Sequence, residues 1–352
     1  MKYLPTILTL LLLVFGAQAE IRWLDKDYDF GLMKEIAGPK TGRSHFVNLG
    51  PDAVSIIYVR PSCGCTRVNY TKDPVAPGDT ATVSYTYDPA MRPGKFLKSV
   101  KVELSDGERH TIKISGNVLG TPESLSTMYP VDAGAMRLTD SVVNAGETVM
   151  GHTPVYFVNA YSLSLDTIAP RLRAATPALN VKTSSPTAGP GDLITYSLNF
   201  DSRRYGQYGP VEIPLDFTPS DASDSQTTIY FRAFVLPDAE MLRARQNGAS
   251  PSASLPYAPI HLGSDISSRI TSEINIENTG TGPLHILRVA PGSDAIVFGK
   301  IPKEIKPGKS SRLKFFVDPS SLPSGPFRLD IDIITDDPDH PHHRLNLTGT
   351  TK

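Results

Sequence analysis

Three stretches of this chain alternate apolar and polar residues behind the same turn. Pro77-Gly78-Asp79, Pro190-Gly191-Asp192 and Pro307-Gly308-Lys309 are turn signals, and an Asp follows eleven residues after each Pro, at Asp88, Asp201 and Asp318. Between turn and Asp the apolar positions are Val83, Tyr85 and Tyr87; Tyr196, Leu198 and Phe200; and Leu313, Phe315 and Val317. A period of two with one apolar face predicts a half-buried strand in each place.

The surrounding pattern repeats as well. Upstream lies an apolar strand ending in Asn, at Phe46 to Asn48, Phe157 to Asn159 and Thr271 to Asn278, then a second strand closing on Pro61, Pro170 or Pro291. Downstream strands are expected at Ser99 to Leu104 and Phe327 to Ile334, and final ones at His110 to Val118, Thr227 to Val235 and Arg344 to Thr348. About seven short strands in about 100 residues is the pattern of an immunoglobulin-like β-sandwich. The expected fold is all-β, with three tandem sandwiches.

Copies one and three align without a gap. Asn48, Pro61, Pro77 and Asp88 recur 230 residues on as Asn278, Pro291, Pro307 and Asp318. The middle copy diverges more, with eleven rather than thirteen residues from Asn159 to Pro170. The expected boundaries are 20–120, 121–238 and 260–352. Residues 239–259 form a linker: a brief helix before Asn247, then a flexible Ser-, Ala- and Pro-rich stretch to Pro259.

Composition adds compartment and removes some functions. Lys2, the apolar run Ile7 to Phe15 and Ala17-Gln18-Ala19 read as a cleaved signal peptide over residues 1–19, the run being well short of the ~20 residues a membrane span needs. Its removal takes one of 35 Lys and Arg and none of 36 acids, leaving a net charge of −2. Nothing in that balance suggests nucleic acid. The expectation is an exported protein, periplasmic or extracellular, with no membrane span after cleavage, no cofactor, and protein or envelope components as partners.

The two cysteines are the chemical anomaly. Cys63 falls opposite Ser293 and Cys65 opposite Ala295, so the frame does not need sulfur. If the chain stays extended there, both sulfurs share one face, with Gly64 relaxing the backbone between them. Three fates are open. The pair forms a local disulfide, strained by a wide Cα separation; it ligates a soft metal such as Cu(I) or Zn; or it exchanges with thiols of a partner. A staple closing so short a loop contributes little chain entropy.

The residues around this triplet carry a resemblance. Val59 to Thr66, Val75 to Asp79, Tyr87-Asp88-Pro89, Pro93 to Phe96 and Ile114 to Val118 resemble a bacterial family of exported domains of unknown function, many from Bacteroidota, marked by a Ser-Cys-Gly-Cys-Thr core. That family is similar to immunoglobulin-like modules of the Hydin and major sperm protein type. The resemblance covers residues 29–118, extends to copy three without its cysteines, and implies fold and export but no reaction.

Other candidates are weaker. Asp336, Asp337, Asp339, His340, His342 and His343 offer metal-ligand chemistry, but Pro338 and Pro341 mark a solvated turn. Gly308-Lys309-Ser310 lacks the upstream Gly of a phosphate loop and leads into a strand. His45, His152, His261 and His285 are scattered, and Trp23 reads as a plug over the end of the first sandwich. Asn69 and Asn346 sit in glycosylation-type triplets that mean little in a bacterium. No catalytic set assembles. The function expected is therefore non-catalytic interaction or scaffolding, with thiol exchange or soft-metal handling through Cys63 and Cys65 as the alternative.

Overall fold

The computed structural model describes residues 20–220 and 226–352. The expected signal peptide lies outside the described residues. The chain is all-β, built as tandem sandwiches. Copy one holds β1 (Ile21–Asp25), β2 (Tyr28–Lys34), β3 (Lys40–Asn48), β4 (Ile56–Pro61), β5 (Thr66–Tyr70), β6 (Thr80–Tyr87), β7 (Gly94–Leu104) and β8 (Arg109–Leu119), in sheets ordered β1-β3-β6-β5 and β2-β8-β7-β4. A short helix α1 (Pro122–Met128) follows, capped by Thr121, whose hydroxyl accepts from Ser124 N.

Copy two runs through β9 (Val131–Ala133), β10 (Met136–Leu138), β11 (Val142–Val149), β12 (Val155–Ser162), β13 (Arg171–Ala174), β14 (Leu179–Thr183), β15 (Leu193–Phe200), α2 (Ser202–Tyr205), β16 (Gly209–Thr218) and β17 (Thr227–Leu236). After α3 (Ala239–Gln246), copy three holds β18 (Ala253–Ser254), β19 (Ile260–His261), β20 (Ile270–Asn278), β21 (Leu284–Pro291), β22 (Ile296–Phe298), β23 (Glu304–Ile305), β24 (Ser310–Val317), β25 (Gly325–Thr335) and β26 (His342–Thr351). Its sheets, β18-β20-β24-β22 and β19-β26-β25-β21-β23, reproduce copy one strand for strand, with β23 added. In all three copies an early strand joins the last one in parallel: β2 with β8, β11 with β17, β19 with β26.

The alternation supplies the cores. Val83, Tyr85 and Tyr87, and likewise Leu313, Phe315 and Val317, are buried to within 1%. Each such side chain contributes roughly 1.5–3 kcal/mol of apolar burial. The hydroxyl of buried Tyr85 lies 2.9 Å from Ser44 Oγ, which meets the cost of its polar end. Pro61 ends the edge strand β4, where an absent N–H costs no ladder bond and blunts the edge.

The recurrent Asn is a buried clamp. Asn48 Nδ2 donates to the carbonyls of Asp52 and Val75, and its Oδ1 accepts from Gly50 N. Asn278 repeats this with Gly282, Ile305 and Gly280, each partner 230 residues on. Copy two departs here from the sequence reading. The place of Asn48 is taken by Ser162, not Asn159: Ser162 N donates to Asp192 O and its carbonyl accepts from Gly191 N, as Asn48 does with Asp79 and Gly78. Ala175 N donates to Pro214 O as Ser62 N does to Ser99 O, so Ala174 stands where Pro61 does, and Pro170 precedes β13 instead of closing it.

The linker reading is also corrected. The helix before Asn247 is present, but β18 pairs with β20, Ala253 against Asn278, and Leu255 is buried in the third core. Ala253 N donates to Asp337 Oδ2. Two-residue strands leave no periodic signal, so Ser, Ala and Pro content read as flexibility.

By packing, the described chain falls into two compact units. One contains residues up to Pro130 with 161–167 and 188–193; the other contains 131–160, 168–187 and 194–352. Within the first unit, Tyr161 donates its hydroxyl to Val118 O, accepts from Gly120 N, and stacks on Tyr129 at 5.3 Å. Glu35 accepts there from Met91 N, Thr121 N and Ser124 Oγ. Within the second, Arg288 donates to Tyr208 O, and His342 lies 4.3 Å from the Phe234 ring.

Candidate functional site

The Cys63-Gly64-Cys65 triplet joins β4 to β5, the edge strands of the two sheets of copy one. The chain turns there and does not stay extended. Thr66 N donates to Cys63 O at 3.3 Å, and Asp88 N to Cys65 O at 2.9 Å. Ser62 fastens the loop to β7, its N–H donating to Ser99 O and its Oγ accepting from Ser99 N. The turn brings the two Cα atoms to 5.3 Å, and the sulfurs are bonded to each other. That separation lies in the ordinary disulfide range, so the wide, strained geometry expected of an extended pair is not found. A Cβ on Gly64 would meet nothing within 4 Å, so the site does not require glycine for space.

The two sulfurs differ in surroundings. Cys65 is 6% exposed and belongs to the first core, while Cys63 is half-buried at its border. Thr66 Oγ1 lies 3.6 Å from Cys63 Sγ and 3.9 Å from Cys65 Sγ.

The other copies close the same turn without sulfur. In copy three Ser293 Oγ accepts from Ala295 N at 3.2 Å, Ile296 N donates to Ser293 O, and Asp318 N to Ala295 O. In copy two Thr176 Oγ1 accepts from Ala178 N at 3.3 Å, Leu179 N donates to Thr176 O, and Asp201 N to Ala178 O. The core position of Cys65 is thus filled by buried Ala178 and Ala295. A hydroxyl-to-amide bond does in two copies what the disulfide does in the first. The sequence reading missed the Thr176-Pro177-Ala178 equivalent; the shared Asp201, 113 residues beyond Asp88, was the available signal.

Beside the disulfide, the outer face of β4, β7 and β8 forms an open groove of about 820 Å³, bordered by Tyr58, Arg60, Ser62, Lys101, Arg109 and Thr111 among others. Arg109 pairs with Glu103 at 3.2 Å. Trp23 packs on Phe46 and His110, with ring centroids at 5.2 and 5.8 Å, against the core as a plug.

The acidic and histidine-rich turn of copy three is held by internal bonds. Asp337, 1% exposed, accepts from Asp339 N, His340 N and Ala253 N. His342 Nε2 and the Arg344 guanidinium converge on Asp332. Burial would raise the Asp332 carboxyl pKa, but those two hydrogen bonds and charges bring it below the usual carboxylate range. Burial pushes the His343 imidazole down. Among the described residues no three His, Cys, Asp or Glu side chains meet as a metal set, so His340, His342 and His343 are not brought together as ligands. His285 pairs with Asp336 at 2.7 Å, His45 with Asp25 at 3.0 Å, and Asn346 Oδ1 accepts from Arg328. Gly308-Lys309-Ser310 leads into β24, a strand.

Residues 21–118, the first sandwich, match a family described as "Protein of unknown function (DUF1573)". No curated protein matches the chain. Similar solved structures include a protein of unknown function from Porphyromonas gingivalis W83, 18% identical, over 62% of this chain and 100% of that one, with a TM-score of 0.49. The ASH/PapD-like domain 7 of human CEP192 is 11% identical over 34% of this chain and 99% of its own, with a TM-score of 0.26. The sialic acid binding region of a Streptococcus sanguinis SK1 adhesin is 8% identical over 70% and 82%, with a TM-score of 0.22.

Proposed function

We propose that this is an exported, non-catalytic protein whose tandem sandwiches present surfaces to protein or envelope partners. One observation carries the reading: the clamp asparagine, the Pro-Gly turn and the apolar character of the core positions recur between copies one and three, while outward-facing positions change chemistry, as Thr82 and Ser84 do against Arg312 and Lys314. A frame held constant under changing surfaces suits recognition. The expected leader over residues 1–19 and the disulfide suit an oxidising compartment. Among the described residues no helix is long and apolar enough to cross a membrane. Boundaries near 120 and 238 belong to the same proposal, with copy three beginning before Ala253. Purified residues 20–352 are expected to co-sediment saturably with washed cell envelopes; a protein that stays in the supernatant at every concentration contradicts the reading.

A second reading rests on the unequal exposure of the sulfurs. A partner thiolate attacks Cys63 Sγ, the Cys63–Cys65 bond breaks, and the electron pair leaves on Cys65 as thiolate. A second partner thiol then displaces Cys63, leaving a partner disulfide and a reduced pair. The same exchange run backwards has the Cys63 thiolate attack a partner disulfide and release one partner thiolate, so with oxidised partner a mixed disulfide trapped in Cys65→Ala but absent from Cys63→Ala supports it; equal trapping, or none, removes it.

A further inference from the structure

Copy three carries a second departure from the common frame. Lys300 and Lys303 follow β22, and Arg312 and Lys314 project from the outer face of β24; with Ile301 and Phe316 they surround an open groove of about 870 Å³. In copy one the same four basic positions are Tyr70, Asp73, Thr82 and Ser84, and in copy two Thr183, Pro186, Thr195 and Ser197. Neither has a cation at any of them, so the charge is not needed to build the sheet. Lys300, Lys303 and Lys314 are exposed and, among the described residues, have no carboxylate within ion-pair distance. Arg312 pairs with Glu273 at 3.1 Å, and Glu304 faces His285 at 3.8 Å.

We propose that this groove docks an acidic polypeptide segment in extended conformation. Its backbone would lie along β22, and its alternate carboxylates would reach Lys300, Lys303 and Lys314. β22 ends its sheet, so its outer edge has no strand partner among the described residues. Such an edge offers backbone hydrogen bonds that only a polypeptide uses. Side chains two apart on a strand stand roughly 6.6–7 Å apart, so Arg312 and Lys314 match the repeat of a second strand. Exposed Val297 and Ile301 suit the intervening apolar residues. An acidic polysaccharide fits less well: Arg269 covers the Phe316 ring at 4.3 Å from its centroid, removing a face on which a sugar would stack.

This rests on the reading of the chain as an interaction protein. The probe is a fluorescein-labelled ten-residue peptide of alternating Glu and Val, titrated with residues 20–352 at low salt. Saturable binding is expected. It should weaken at least about tenfold in Lys300→Glu/Lys303→Glu/Lys314→Glu and by less in the triple Gln variant, and be unchanged in Arg60→Glu/Lys101→Glu. Thermal unfolding of the variants confirms that exposed lysines were changed without loss of fold. Methylating alternate peptide nitrogens should reduce binding. Absent binding, undiminished binding by the triple Glu variant, indifference to methylation, or preference for polygalacturonate each overturns the inference. Envelope co-sedimentation retained by the triple Glu variant would leave the interaction reading standing while a failed titration removes this one.

Discussion

At the residue scale, the chain solves one turn in two chemistries and one clamp in two ways. Asn48 and Asn278, both buried, each tie together three backbone groups. Asn48→Ala and Asn278→Ala are therefore expected to cost about 2–3 kcal/mol each in urea unfolding, by removing three hydrogen bonds from a buried side chain. Asn159→Ala should cost under about 1 kcal/mol, since among the described residues the Asn159 side chain makes one hydrogen bond, accepting at Oδ1 from the Thr195 hydroxyl. Equal losses at all three positions would contradict the placement of Ser162. These residues also mark what the sequence could disclose. Asn48 and Asn278 were legible because their side chains do the work. Ser162 and Ala178 were not, because there the backbone does it and any small residue serves. The cysteines stood out only because an aligned copy lacked them.

At the element scale, long alternating strands announced themselves and short ones did not. β6, β15 and β24 follow their patterns, whereas β18 spans two residues and was hidden in Ser- and Pro-rich chain. Its contribution is measurable: residues 251–352 should fold alone, while 260–352, lacking β18 and Leu255, should melt several degrees lower. Glu35 gives an element-level pH effect. Burial tends to raise its pKa, but hydrogen bonds from Ser124, Thr121 and Met91 outweigh that and hold it below normal. A depressed folded pKa gives stability that is present above the unfolded value and lost as pH falls through the folded one. Wild type should thus exceed Glu35→Gln in thermal stability near neutrality, and the gap should close as the carboxyl protonates. A gap independent of pH would refute the ionic contribution.

At the scale of the whole molecule, repetition separates what the fold requires from what has been added to it. Sulfur appears at one turn and a cluster of cations on another face, each on a frame that other copies build without them. The closed loop at Cys63–Cys65 is too short for a large entropic effect, and Ser293 and Ala295 show the hydroxyl alternative in place.

The most direct test is urea unfolding of Cys63→Ser/Cys65→Ala, which installs the solution of copy three in copy one. The expected result is a folded protein within about 1 kcal/mol of the oxidised wild type at unchanged denaturant slope. A loss of more than about 3 kcal/mol, or an unfolded first sandwich, would make the disulfide a requirement of the frame and contradict the equivalence of the copies.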